Sequence, residues 1–301
     1  MSRIPTIIDI DPGIDDAAAL FIALTCSRLD TRLITTAGGS IDVHQATANA
    51  LKLEAFLGSR IWVSTGIDLP NSEKRHYMEP KLGPSGLGNW VFADEAEDLL
   101  ANLPADEAMY QTIKQVDSEG KKTYIICLAP LSNLASLLTE HPEVKPMIGG
   151  VYCMGTTLED KDTLQQAGRN VAADPDAARV VVNSGLNVNF VPLEVAVQVP
   201  LSELDMTDIA LSGRIGNAVY TMLSGAESLD GRGKEIADPV AVALAIHPNF
   251  FTIKPATLTI GKDGKLDVAI PGDHPNVKMA TAVNRDEFVD WFKWALERAS
   301  R

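Results

Sequence analysis

The sequence predicts an α/β protein with a mostly parallel central sheet and helices on both faces. Three observations predict it. Residues 1–66 alternate β-type and helical runs as β-α-β-α-β, a pattern that folds as parallel strands joined by crossover helices. The stretch Ile7–Asp16 runs from strand through a Pro-Gly turn into a helix start. It sets four aspartates at a strand's C-terminal end, where open parallel sheets bind ligands. The 301 residues show no internal repeat, low-complexity tract or clean boundary, and read as one domain, 1–301.

In order, Ile7–Ile10 forms the first strand and Ala17–Leu24 the first helix. Thr31–Ala37 is the second strand, ending at Gly38-Gly39-Ser40, and Gln45–Phe56 carries one apolar face at helical spacing. Ile61–Val63 is a short strand. Asp68–Leu103 is rich in Pro, Gly, Lys and Glu with weak periodicity, as in a long loop beside a site. A helix over Glu107–Glu119 and a strand over Thr123–Leu128 follow, then a turn into the helix Leu134–Glu140. Gly150–Met154 reads as a strand, Asp176–Val182 as a helix and Asn187–Leu193 as a strand. Leu201–Leu229 reads mostly as helix and Pro239–Ile246 as a buried helix. Strands at Ala256–Ile260 and Leu266–Ala269 precede a final amphipathic helix, Arg285–Arg298, with Phe288, Trp291, Phe292 and Leu296 on its apolar side.

Composition excludes several classes. A hydrophobic content of 46% with 22% charged residues is that of a globular protein. No apolar run approaches a membrane span and no leader pattern opens the chain, so a cytoplasmic location is expected, with no membrane partner. The formal charge of −14 argues against nucleic acid as a partner. Cys26, Cys127 and Cys153 lack metal-ligand spacing and read as reduced core residues.

The chemistry sits in Asp9-Ile10-Asp11-Pro12-Gly13-Ile14-Asp15-Asp16. Residues two apart on a strand share a face, so Asp9 and Asp11 point the same way. Carboxylates packed near a buried strand end repel and lose hydration, and stay ionised together only around a cation. An all-oxygen donor set favours Ca²⁺ or Mg²⁺ over zinc. The alternative for Asp15 and Asp16 is plain capping of the helix N-terminus, and Asp238-Pro239 ahead of an apolar helix also fits an N-cap.

This opening string resembles the signature of the inosine-uridine preferring nucleoside hydrolases, with Ile10 where Thr or Cys is usual. Thr35-Thr36-Ala37-Gly38-Gly39, Leu128–Asn133, Asn170 with Ala173–Ala178, and Asp238-Pro239 match further motifs in order and spacing. The resemblance implies a Rossmann-like core and Ca²⁺-dependent hydrolysis of the N-glycosidic bond of a ribonucleoside or related riboside. By residue, it implies Asp11 as base and metal ligand, with Asp16, Asp238 and the Leu128 carbonyl completing the metal site. It implies Asp15, Asn170, Met154 and Arg169 at the substrate and Asp9 orienting the others. A homodimer or homotetramer is implied too. The competing readings are a non-catalytic nucleoside- or sugar-binding homologue and, with a poorer fit, an Asp-x-Asp phosphoryl-transfer enzyme.

The chain departs from the family pattern around the substrate. Ser40 stands for Asn, Leu82 for the His before Gly83, and Gly168-Arg169-Asn170 for Glu-Phe-Asn. Asp162 replaces an Asn, and Ala237 replaces the His before the late Asp-Pro that serves as leaving-group acid. His76, Tyr77 and Trp90 are the candidate replacements in the loop region. These changes point to a modified or 5′-substituted riboside, with Arg169 available to an anionic group.

Overall fold

The computed structural model describes residues 3–69, 83, 85–92, 96–158, 169–225, 233–262 and 265–300, Arg169 by its backbone alone. The opening strand, β1 (Ile4–Ile10), is buried along nearly its whole length, which explains why it is mostly apolar, with Thr6 and Asp9 its polar members. It is followed by α1 (Ile14–Thr25), β2 (Leu29–Thr36), α2 (Val43–Leu57) and β3 (Val63–Thr65). After α3 (Ala105–Ser118) come β4 (Thr123–Cys127), α4 (Ser132–Glu140) and β5 (Ile148–Thr156). The short α5 (Arg169–Ala173) leads into α6 (Pro175–Val182) and β6 (Val188–Pro192).

The strands join one nine-stranded sheet in the order β3-β2-β1-β4-β5-β6-β9-β7-β8. The first six are mutually parallel, and β9 (Val277–Val283) continues parallel to β6. β7 (Phe251–Ile260) and β8 (Leu266–Ala269) close the edge antiparallel. The chain order reverses between β1 and β4. This is the switch point of a doubly wound sheet, the place where the loops at the carboxyl ends part and leave a crevice.

Two apolar clusters cover the faces. One contains Leu20 and Phe21 of α1, Leu53 of α2 and the C-terminal helices. These are α8 (Glu203–Leu211), α9 (Arg214–Ser224), α10 (Asp238–Ile246) and α11 (Arg285–Ala299); a single turn, α7 (Leu193–Ala196), precedes them. The other contains Ile113 of α3, Leu134 and Leu137 of α4 and Val181 of α6. Ile8 and Ile10 belong to the first cluster and Ile7 to the second, the period of two expected of a strand covered on both sides.

Four local expectations change. The third strand starts at Val63, because Ile61 and Trp62 lie outside the sheet. The segment 201–229, expected to be mostly helical, holds two helices among its described residues, parted at Gly213, whose φ of 112° is outside right-handed helical space; 226–229 lie outside the described residues. The strand expected at 256–260 begins five residues earlier, at Phe251, on a half-exposed edge. Val277–Val283 is a strand the sequence did not announce.

Candidate active site

The β1–α1 turn builds the site. Asp9 is fully buried, and its Oδ1 accepts from Thr35 Oγ1 at 2.7 Å and Asn133 Nδ2 at 2.8 Å. Its Oδ2 is buried with no hydrogen-bond partner. Asp11 lies just past the strand, and its Oδ2 accepts from the Ser40 N–H at 2.6 Å. Gly39 is glycine because a Cβ there would come within 2.1 Å of that same oxygen. Asp16 accepts from the Gly13 N–H at 3.2 Å and the Asp11 N–H at 3.3 Å, so it does cap α1 while facing the other carboxylates. Asp15 accepts from the Ala237 N–H at 2.9 Å, tying α1 to the start of α10. Asp238 opens α10, and no side chain caps that helix; Ala237 holds the cap position. The capping alternative for Asp238 is therefore not what its carboxylate does.

Charge and burial together make this cluster costly. Burial pushes the Asp9 carboxyl up to about 6, with Thr35 and Asn133 opposing. Burial raises Asp15 to about 7, against its bond from Ala237, with the Asp16 and Glu235 charges adding to the rise. Asp16 is pushed up to about 6, again mainly by burial, with its backbone donors and Asp238 opposing. Burial and the neighbouring Asp16 charge lift Asp11 and Asp238 well above the ordinary carboxylate range. Among the described residues, no cationic side chain enters among the causes of these shifts.

Across the switch point, the Leu128 N–H donates to the Asp9 carbonyl at 2.8 Å, which sets the β4 end beside the aspartates. The carbonyl of Leu128 accepts from Asn170 Nδ2, which also donates to the Met154 carbonyl at 3.3 Å. Gly155, at φ 100°, lets that amide in: a Cβ there would lie 2.7 Å from Asn170 Cβ. Asn170 thus gathers Leu128 and Met154 at one spot. A carbonyl oxygen has two lone pairs, so the Leu128 oxygen can accept this bond and still offer an electron pair elsewhere.

The oxygen-only donors, their mutual repulsion and the orphaned Asp9 Oδ2 fit a hard divalent cation. Among the described residues, no three His, Cys, Asp or Glu side chains are drawn into a ready-made metal cage. The carboxylates instead bond to backbone N–H groups and, for Asp16 and Asp238, to one another.

Of the sequence candidates, Asp9, Asp11, Asp15, Asp16, Leu128, Met154, Asn170 and Asp238 fall in this network. Leu82, His76, Tyr77, Asp162, Gly168 and the Arg169 side chain lie outside the described residues. Trp90 packs edge-on to Phe56 and Phe92 at ring distances of 5.9 and 6.3 Å, in an aromatic cluster against α2. Sequence reasoning gave no role to Thr35 and Asn133. Thr35 could have been found, since it sits directly opposite Asp9 in the β1–β2 register. Asn133 falls in the matched Leu128–Asn133 stretch, but nothing local points it at Asp9, 124 residues away.

Comparisons with known proteins converge on one family. The sequence model described as inosine-uridine preferring nucleoside hydrolase matches residues 6–290. A non-specific ribonucleoside hydrolase RihC of Shigella boydii is 29% identical, over 99% of this chain and 100% of its own length. The like-named protein of Escherichia coli O9:H4 is 29% identical over the same shares. A solved plant nucleoside hydrolase, PpNRh1, superposes with a TM-score of 0.88 at 26% identity, covering 98% of this chain and 99% of that one. A purine-preferring ribonucleoside hydrolase from Gardnerella vaginalis shares the fold, with a TM-score of 0.85 at 22% identity over 98% and 99% of the two chains.

The raised carboxyls fix a pH dependence. Folded-state values of about 6 for Asp9 and Asp16 and about 7 for Asp15, against an ordinary 3.8, mean that the folded chain holds protons the unfolded chain has lost. Stability of cation-free protein should therefore rise as pH falls from about 7 toward about 4. Urea unfolding in chelator at pH 8, 7 and 5.5 checks this. Adding CaCl₂ should stabilise most at pH 8, where the carboxylates are ionised, and least at pH 5.5.

Proposed function

We propose that this chain, which belongs to the inosine-uridine preferring nucleoside hydrolase family, hydrolyses the N-glycosidic bond of a ribonucleoside or related riboside with the help of Ca²⁺. The observation that carries the reading is the buried aspartate group at the β1–β4 switch point, lifted in pKa by burial and mutual charge. Asp11, Asp16, Asp238 and the Leu128 carbonyl are the proposed holders of the ion. When bound, it supplies a positive charge that grips ribose hydroxyls and acidifies a water.

Cleavage builds an oxocarbenium-like ribose, so nearby negative charge favours the transition state. Asp11 takes the proton of the attacking water, and the Ser40 N–H holds its Oδ2 in place for that transfer. Asp15 is pinned through the Ala237 N–H and turns its other oxygen to a ribose hydroxyl. Asn170 and the Met154 carbonyl line the sugar, and Arg169 directly precedes Asn170 in the chain. Asp9 acts at one remove: Thr35 and Asn133 fix its carboxylate, and its backbone carbonyl anchors Leu128. The same reading takes the protein as a cytoplasmic homodimer or homotetramer. Among the described residues no helix is long and apolar enough to cross a membrane.

Replacing Asp11 with Ala should lower kcat by at least ~10²-fold with the fold intact, the usual scale for losing a general base. Release of free base and ribose by the parent, followed by chromatography, is the readout. A parent that binds a riboside without releasing base is instead a binding homologue, and a D11A variant with normal turnover removes Asp11 from the chemistry.

Ala237 cannot protonate a departing base, and its backbone N–H is already committed to Asp15. An activated leaving group should compensate. In steady-state kinetics, 4-nitrophenyl riboside should be cleaved with a clearly higher kcat/KM than inosine or uridine, and a 5′-phosphorylated riboside should be accepted. Inosine or uridine turned over as efficiently as the nitrophenyl substrate would show that a leaving-group acid is present after all.

A further inference from the structure

Asn49 lies on α2, has no assigned role, and is fully buried. Its Nδ2 donates to the Pro12 carbonyl at 2.9 Å and to the Ser85 carbonyl at 2.7 Å. Its Oδ1 accepts from Gln45 Nε2 at 2.9 Å, one helical turn earlier. Two carbonyls facing one group require that group to be the NH₂ end, so the orientation of the amide is forced by its partners. Pro12 is the residue after Asp11, in the turn that presents the aspartates. Ser85 belongs to the loop 85–92 that lies over α2 and α9.

That loop is seated at three further places. Leu87 is buried in the core, Gly88 lies against the Met222 carbonyl, where a Cβ would come within 2.6 Å, and Trp90 packs on Phe56. Gly86, at φ 82°, passes Ile41 so closely that a Cβ would lie 3.2 Å from Ile41 Cγ2. Ile41 in turn accepts the N–H of Gly39, the glycine pressed against Asp11. The loop therefore meets the aspartate turn by two routes, and Asn49 is the polar one. Without a shared donor the Pro12 and Ser85 carbonyls would be two buried acceptors turned toward one another.

We infer that Asn49 is a positioning residue: its amide clamps loop 85–92 to the Asp11-Pro12-Gly13 turn and holds Asp11 at its working position. It touches neither substrate nor ion and acts only through the Pro12 carbonyl. The inference rests on the proposed hydrolytic reading for its kinetic consequence, but the clamp itself does not.

The test compares the full-length parent with Asn49→Ala and Gln45→Ala. Displacements of an ångström at a reacting group cost up to ~10²-fold, so N49A should lose ~10-fold or more in kcat on 4-nitrophenyl riboside, with KM changed about twofold at most. Calorimetric titration of chelator-stripped protein with CaCl₂ should show several-fold weaker binding. Hydrogen exchange should speed up together in the amides of 13–17 and 85–88. Q45A keeps both carbonyl bonds and frees only the orienting contact, so its kcat loss should be smaller, about threefold.

A folded N49A with kcat and calcium affinity within twofold of the parent would overturn the inference, even with a lowered Tm, since that is all a structural filler would do. If N49A fails to fold, Q45A decides: unchanged kcat overturns the inference and a graded loss supports it. A parent that neither hydrolyses ribosides nor takes up calcium refutes the functional reading instead. The clamp then stands or falls on whether the two segments lose protection together or separately.

Discussion

The structure depends on an unfavourable interaction. Five aspartates, Asp9, Asp11, Asp15, Asp16 and Asp238, are packed where the sheet changes direction, and burial pushes every one of them toward the neutral form. Keeping a buried carboxylate ionised without a partner costs several kcal/mol, which a marginally stable chain cannot bear five times over. The fold answers in two ways. Backbone N–H groups of Gly13, Ser40 and Ala237 supply partial positive charge. The charge left over is of the sign and donor type that suits a hard cation.

The surrounding scaffold keeps that group from relaxing. Asp9 is locked from both sides, by β2 through Thr35 and by α4 through Asn133, and Asn133 also donates to the Thr36 carbonyl and accepts from the Ile67 N–H. Gly39 removes the side chain that would push Asp11 aside. Asp15 joins α1 to α10, so the N-terminal and C-terminal parts of the chain meet at the site itself. Preorganisation of this kind lets charged groups act on a developing charge without first rearranging.

Much of this was legible in the sequence, for physical reasons. β1 is covered on both faces, so its residues are mostly apolar, and Asp9 near its end and Asp11 just past it stand out against that run. α1 and α10 are buried nearly all round and carry almost no polar residues beyond their N-termini. β9 was not legible because Lys278 is exposed and residues 281–283 are only half-buried, which blurs its pattern. β7 was cut short for a related reason, its first residues alternating between exposed and half-buried positions on a sheet edge. In the site, the carboxylates announced themselves by adjacency. The groups around them, Thr35, Asn133 and Asn49, are brought in by pairing and packing across 26 to 124 residues; the matched motifs include Thr35 and Asn133, but only the register of β1 on β2 could have said what one of them touches.

On the proposed function, this repulsive group holds one calcium ion. A crystal structure grown with CaCl₂, with anomalous data collected to locate calcium, tests it most directly. The expected result is a single strong peak touching carboxylate oxygens of Asp11, Asp16 and Asp238 and the Leu128 carbonyl oxygen, with Asn170 still bonded to the Met154 carbonyl. A peak that leaves out Asp238, or aspartates that stay paired to each other with no ion among them, would contradict it.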